Sequence, residues 1–169
     1  INSVNGEERY LKGILPLAVE YGAAVIGMAL DDEGIPETPE GRLAVARKIV
    51  ERAEAAGMAQ EDVIIDCMAL SVSTDPEAGH VTLEAIRRVR DELGVNMTLG
   101  PSNVSFGLPE REVLNQGFIA MAMQNGVTCP IVNVSRDRAF IMGVDVLLGR
   151  DRQGLRFIEA YRERSGDDA

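Results

Sequence analysis

The sequence holds two lysines, one histidine and two cysteines in 169 residues, and each shortage removes a class of chemistry. Lys12 and Lys48 both fall on helical patterns, so a Schiff-base aldolase, a common use of a barrel scaffold, lacks its nucleophile. His80 stands alone in the first turns of another helical pattern, which leaves no histidine-based metal cluster and no Ser-His-Asp arrangement. Cys67 and Cys129 form no CxxC and lie in or beside apolar strand patterns, so both are expected to be reduced and buried. Neither GxGxxG nor GxxxxGK[ST] occurs, which removes the usual phosphate-cradling loops of an open doubly wound sheet. No apolar run approaches the ~20 residues needed to span a bilayer. The opening Ile1-Asn-Ser-Val-Asn-Gly has neither a basic leader nor an apolar signal core, and a cytoplasmic setting is the expectation. Positive charge is also scarce. Seventeen basic residues against twenty-seven acidic ones give a net charge of −10, which disfavours nucleic acid and anionic membrane as partners.

What is present is an ordinary globular composition, 46% apolar and 26% charged, expected to form one domain over residues 1–169. Four short apolar runs, 23–30, 62–70, 95–99 and 128–133, have the look of buried parallel strands, and Ile1 and Asn2 would be the stub of a fifth. Between them lie helices with explicit punctuation. Thr38-Pro39-Glu40 supplies an N-cap, a first-turn proline and a first-turn acid ahead of Leu43, Ala46, Ile49 and Ala53, and Gly57 is the stop. Asp75-Pro76-Glu77 repeats the device before Ile86, Val89 and Leu93, with Gly94 as the stop. A third helix from Pro109 to Gly126 carries Val113, Leu114, Phe118 and Met121 as its inner stripe. The charged tail, 163–169, is expected to fray. The mean strand-to-strand repeat is close to the ~31 residues obtained when a ~250-residue (β/α)₈ barrel is divided by eight. A TIM barrel is therefore the expected α/β fold, with five units here and three more, roughly 90 residues, expected ahead of Ile1.

In a barrel the ligand site lies at the C-terminal ends of the strands. Those ends read Asn2 and Ser3, then Asp31 to Glu33, then Asp66, then Ser102 and Asn103, then Asn133 and Ser135. Asp66 interrupts two apolar runs, and an ionised carboxylate there is costly unless something donates to it. A ligand with adjacent N–H donors would satisfy both oxygens; backbone N–H groups of a loop are the alternative. Asn103 follows the break at Gly100-Pro101 and can donate and accept together, which suits a ring nitrogen whose protonation changes; closing the turn is its plainer use. The run Asp31-Asp32-Glu33-Gly34 reads as a solvated acidic loop, and no metal site is expected.

Several segments carry a family resemblance: Ile1-Asn-Ser-Val-Asn-Gly-Glu, the run from Pro16 to Gly27, Gly34-Ile-Pro, Asp62-Val-Ile-Ile-Asp66 and above all Ser102-Asn-Val-Ser. In this order they resemble the pterin-binding methyltransferases, which comprise the methyltetrahydrofolate:corrinoid protein methyltransferases and the folate module of cobalamin-dependent methionine synthase. The resemblance implies a (β/α)₈ barrel of the dihydropteroate synthase-like type, dimeric, with this chain supplying strands four to eight. It implies pterin contacts on Asn2, Asp66 and Asn103, with Asn103 the catalytic residue near the methyl-bearing ring nitrogen; the strand-end residues Ser102 and Asn133 complete the expected pterin set. Ser105-Phe106 and Ile131-Val132-Asn133 resemble the methionine-synthase form, whereas stand-alone enzymes tend to carry an amide at the position of Phe106. The family supplies another pterin-binding Asp from its third strand, a position that would precede Ile1.

The implied reaction moves a methyl group from methyltetrahydrofolate to the Co(I) of a corrinoid held by a partner protein or a cobalamin domain. That would explain why the chain shows no nucleophile of its own. One rival is dihydropteroate synthase, which needs a Ser-Arg-Lys type segment near the seventh strand, and Ser102-Asn-Val-Ser carries no cation. Another is a pterin-binding subunit or fragment without catalysis.

Overall fold

The residues described in the computed structural model are 1–166. They form two compact units, the first ending at Ile131 and the second beginning at Val132.

In the first unit each apolar run contains a strand, shorter than the run itself in most cases, and the strands pair in the order of the chain. Strands β1 (Asn2–Asn5), β2 (Val25–Met28), β3 (Val63–Asp66), β4 (Asn96–Leu99) and β5 (Cys129–Pro130) make an open, wholly parallel sheet of five. A doubly wound sheet reverses its strand order at a switch point, whereas this order advances without reversal, as in part of a (β/α)₈ barrel. Right-handed crossovers between sequential neighbours place the connecting helices on one face of the sheet. Those helices are α1 (Glu8–Glu20), α2 (Pro39–Ala55), α3 (Ala78–Leu93) and α4 (Arg111–Asn125).

Burial alternates along the strands accordingly. Val25, Gly27, Val63, Ile65, Met97 and Leu99 are buried, while Ile26, Met28, Ile64 and Asp66 on the other face are half-buried. Gly27 lets α2 pack close against the sheet: a Cβ there would stand 2.8 Å from Ile49 Cγ2 and 3.1 Å from Ile65 Cδ1. Ile49 fills the space that a side chain at 27 would take, and a fully buried Ile contributes about 1.5–3 kcal/mol of transfer free energy.

Helix α2 starts as its sequence dictates, with Thr38 Oγ1 accepting from the Gly41 amide at 3.1 Å and Leu43, Ala46, Ile49 and Ala53 buried. Gly57, at φ +95°, follows its end. Helix α3 begins later than expected, because Asp75 Oδ1 accepts from the Glu77 amide and closes a separate turn first; Gly94 then caps its end in the left-handed region. The expected stripe of α4 is corrected. Phe118, Ile119, Ala122 and Met123 are its buried residues, while Val113, Leu114 and Met121 are 66%, 38% and 49% exposed. A core stripe of four residues cannot be separated from apolar residues that continue round the helix by spacing alone.

Three further expectations change. Strand β1 runs Asn2–Asn5 instead of ending at Asn2. Cys67 is buried but Cys129 is exposed, because β5 is only two residues long and sits at the edge of the sheet; both thiols are free. Most of the run 128–133 is not strand.

In the second unit, α5 (Val134–Leu147) and α6 (Leu155–Ser165) are joined by a short turn in which Asp151 accepts from the amides of Arg156 and Phe157. These contacts hold the Asp151 carboxyl below the usual carboxylate range, against the opposing effect of burial. Of the tail expected to fray, residues 163–165 are helical and 167–169 lie outside the described residues. Among the described residues no helix is long and apolar enough to cross a membrane.

Candidate functional site

Asp66 is the last residue of β3, flanked in register by Met28 on β2 and Thr98 on β4. The chain then turns sharply: Met68 takes a φ of +63°, a conformation that residues with a Cβ rarely adopt. In that geometry the Met68 amide donates to Asp66 Oδ1 at 2.8 Å. Among the described residues nothing donates to Oδ2. Burial pushes the Asp66 carboxyl pKa up, and the Met68 amide works against that shift. The two readings of Asp66 are therefore divided between its oxygens, one accepting from the loop and the other open to a ligand donor.

Arg42, on α2, underpins this turn. It is 1% exposed, and its Nη1 donates to the carbonyls of Cys67 at 3.0 Å and Met68 at 2.8 Å and to Thr82 Oγ1 at 2.9 Å. Desolvation lowers its pKa from the ordinary guanidinium value. Burial pushes the neighbouring Cys67 thiol up to about 12, which makes it inert as a nucleophile.

On the next strand, Pro101–Ser105 form a 3₁₀ turn directly after β4. Ser102 and Asn103 are exposed on it, while Ser105 is buried. The Asn103 carboxamide makes no hydrogen bond to any described residue, so its donor and acceptor are both available. Ser105 fastens the turn to α4, donating to Asn115 Oδ1 at 2.7 Å. Arg111 completes the clamp, with Nη2 donating to Ser102 O at 2.7 Å and Ser102 Oγ at 3.0 Å, and Nε donating to Ser105 Oγ at 3.1 Å. The segment Ser102-Asn-Val-Ser carries no cation of its own, but α4 brings Arg111 to it from nine residues away.

The loops after β3 and β4 are stitched together. Ser71 Oγ and Ser73 Oγ both donate to the Phe106 carbonyl at 2.8 Å, and the Val72 amide donates to Val104 O at 3.0 Å. Phe106 itself is 66% exposed. Between the loops lies a cavity of about 360 Å³ bounded by Leu70, Ser71, Thr74 and Asp75 on one side and Asn103 and Phe106 on the other.

Asn2 is placed differently. It pairs with Ile26 at the start of β1, below the row Asn5, Met28, Asp66 and Thr98. A register shift between Asn2 and Val4 keeps Asn2 on the same sheet face as Met28 and Asp66. Asn5, which the sequence reading passed over, occupies the true end of β1, but its amide is engaged with Glu7 through two hydrogen bonds. Asp31 is occupied by its own turn, accepting from the Glu33 amide at 3.0 Å. Among the described residues no group of three or more His, Cys, Asp or Glu converges as a metal site. Asn133 lies in the second unit, directly ahead of α5, where its Oδ1 accepts from Ser135 Oγ at 2.7 Å.

The family model described as "Pterin binding enzyme" matches residues 1–133, the whole of the parallel sheet. The chain belongs to the pterin binding enzyme family. Within that family it is 31% identical over 170 residues to the methylcorrinoid:tetrahydrofolate methyltransferase of Eubacterium limosum, covering 96% of this chain and 62% of the relative. It is 31% identical over 182 residues to the methionine synthase of Mycobacterium leprae, covering 99% of this chain and 15% of that protein. For the methionine synthase of Mycobacterium tuberculosis the identity is 32% over 149 residues, covering 80% and 12%. The chain therefore spans less than two thirds of the length of these curated relatives. Asp66 ends β3 and Ser102 and Asn103 stand just past the end of β4, at the C-terminal edge of the sheet, the edge at which barrel enzymes bind ligands.

Proposed function

We propose that this pterin binding enzyme takes part in methyl transfer between methyltetrahydrofolate and the cobalt of a corrinoid carried by a partner protein or domain. The single observation that carries the reading is the pairing, on adjoining strand ends, of a carboxylate with one oxygen open and a carboxamide with no partner among the described residues. The names of the relatives support it, and the first of them, a methylcorrinoid:tetrahydrofolate methyltransferase, names the transfer with the corrinoid as donor. One site serves both directions, because forward and reverse reactions share a transition state.

In this reading Asp66 accepts from adjacent N–H groups of the pterin edge and orients the ring, with Asn2 on the same sheet face and Ser102 beside Asn103 as further contacts. The corrinoid's Co(I) supplies the nucleophile. The bond that breaks joins the methyl carbon to a tertiary ring nitrogen, a poor leaving group, so negative charge developing on that nitrogen needs a proton or a strong hydrogen bond. Asn103 donates its carboxamide N–H there, an interaction stronger in the transition state than in the ground state. Because Asn103 also accepts, it tolerates the ring nitrogen with or without its proton. A cytoplasmic homodimer is part of the same reading, supported by the family resemblance.

The test is to add methyltetrahydrofolate to the intact protein together with reduced corrinoid and follow the Co(I) absorbance. Its loss in proportion to added folate is the expected result. Pteroate formation from a pterin pyrophosphate would instead indicate a dihydropteroate synthase, and tight folate binding without turnover a binding subunit.

A further inference from the structure

Arg42 is an anomaly. A guanidinium that is 1% exposed and has no carboxylate partner among the described residues is costly to bury, and a methionine would fill the same space without charge. Its donors converge on one feature. Nε holds Pro36 O at 3.0 Å, ahead of α2, and Nη1 holds Cys67 O, Met68 O and Thr82 Oγ1. Thr82 itself approaches Met68 O at 3.2 Å and donates to Ala78 O at 2.9 Å, so Arg42 and Thr82 close on the Met68 carbonyl from α2 and α3.

Met68 needs such a grip, because its left-handed backbone is disfavoured for a residue with a Cβ. The same conformation aims the Met68 amide at Asp66 Oδ1. A lysine would substitute only in part: its ammonium is a single point charge, whereas the planar guanidinium reaches Pro36 and the 67–68 carbonyls at once.

We propose that Arg42 is a positioning residue for the pterin: by fixing the Cys67 and Met68 carbonyls it locks the turn that occupies Asp66 Oδ1 and leaves Oδ2 facing the ligand. This rests on the assignment of Asp66 as the pterin anchor, and it adds a residue that touches neither folate nor the reacting atoms. Anchoring of this kind acts equally on bound substrate and transition state, so its loss appears in KM and not in kcat.

The experiment compares wild type, Arg42→Met, Arg42→Lys and Thr82→Val in the intact protein. It measures KM and kcat for methyl transfer, tetrahydrofolate Kd, and hydrogen exchange of residues 67–69. Arg42→Met is expected to raise KM and Kd at least about tenfold with kcat within about threefold, and to speed exchange at Met68. Arg42→Lys should fall between it and wild type. Thr82→Val, which keeps the side-chain shape, should move KM the same way by a smaller factor and serves alone if Arg42→Met does not fold. An unchanged KM in a folded variant, or a fall in kcat at constant KM, would overturn the proposal. A wild type that binds no folate overturns the functional reading instead, and faster exchange at Met68 in the variants would still show that Arg42 locks the turn.

Discussion

The carboxylate of Asp66 accepts from the amide of Met68, two residues further on, at 2.8 Å, and this contact engages only one of its two oxygens. Burial raises the Asp66 pKa while Met68 opposes the rise. A carboxyl whose folded pKa lies above its unfolded value destabilises the fold when ionised. That penalty is present at neutral pH and is relieved as pH falls through the raised pKa.

Asp66→Asn should therefore raise the melting temperature at pH 7, since an amide oxygen still accepts from Met68 and carries no charge. The gain should vanish in acid, where wild-type Asp66 is protonated. The same change should weaken folate binding by roughly 10-fold to 100-fold, the worth of hydrogen bonds to a charged group. Thermal melts across pH, paired with folate titrations, check both signs.

The stitch between Ser71, Ser73 and the Phe106 carbonyl predicts non-additive behaviour. Either Ser→Ala change alone leaves one donor on the carbonyl and should cost less than about 1 kcal/mol. The double change leaves both donors missing and should loosen residues 102–107. Hydrogen exchange in that segment should rise more in the double variant than the two singles together account for.

Gly27→Ala tests the packing that holds the sheet face. The added Cβ meets Ile49 Cγ2 at 2.8 Å, so Ile49 must shift, and a loss of about 1–3 kcal/mol is expected from denaturant unfolding. Gly27→Ala with Ile49→Val should recover part of it, because the smaller side chain frees space at the contact.

The sequence made the order of strands and helices legible because it punctuates them. Thr38-Pro39-Glu40 opens α2, Gly94 closes α3, and the apolar runs ending at Asp66 and Leu99 mark two strand ends. Strand β1 is not legible beyond Asn2 because Asn2, Ser3 and Asn5 are polar, and pairing with β2, not propensity, makes them a strand. The inner face of α4 is not legible from spacing because apolar residues surround much of that helix. At the candidate site, Asp66 stands out in the sequence as a carboxylate between apolar runs, whereas Asn103 reads equally as a turn residue and is singled out only by the family resemblance. Arg42 and Arg111 are not legible. An arginine beside Leu43 and Val45 reads as the solvated side of a helix, and only the fold brings its guanidinium onto carbonyls 25 and 26 residues away.

The most direct test of the account is a single-turnover measurement with Asn103→Ala at saturating methyltetrahydrofolate, following Co(I) absorbance after rapid mixing with reduced corrinoid. If Asn103 stabilises the departing ring nitrogen, the rate should fall by about 10² to 10³, the usual cost of one lost transition-state donor, while folate affinity changes little. A wild-type rate in the Asn103→Ala variant would contradict the account.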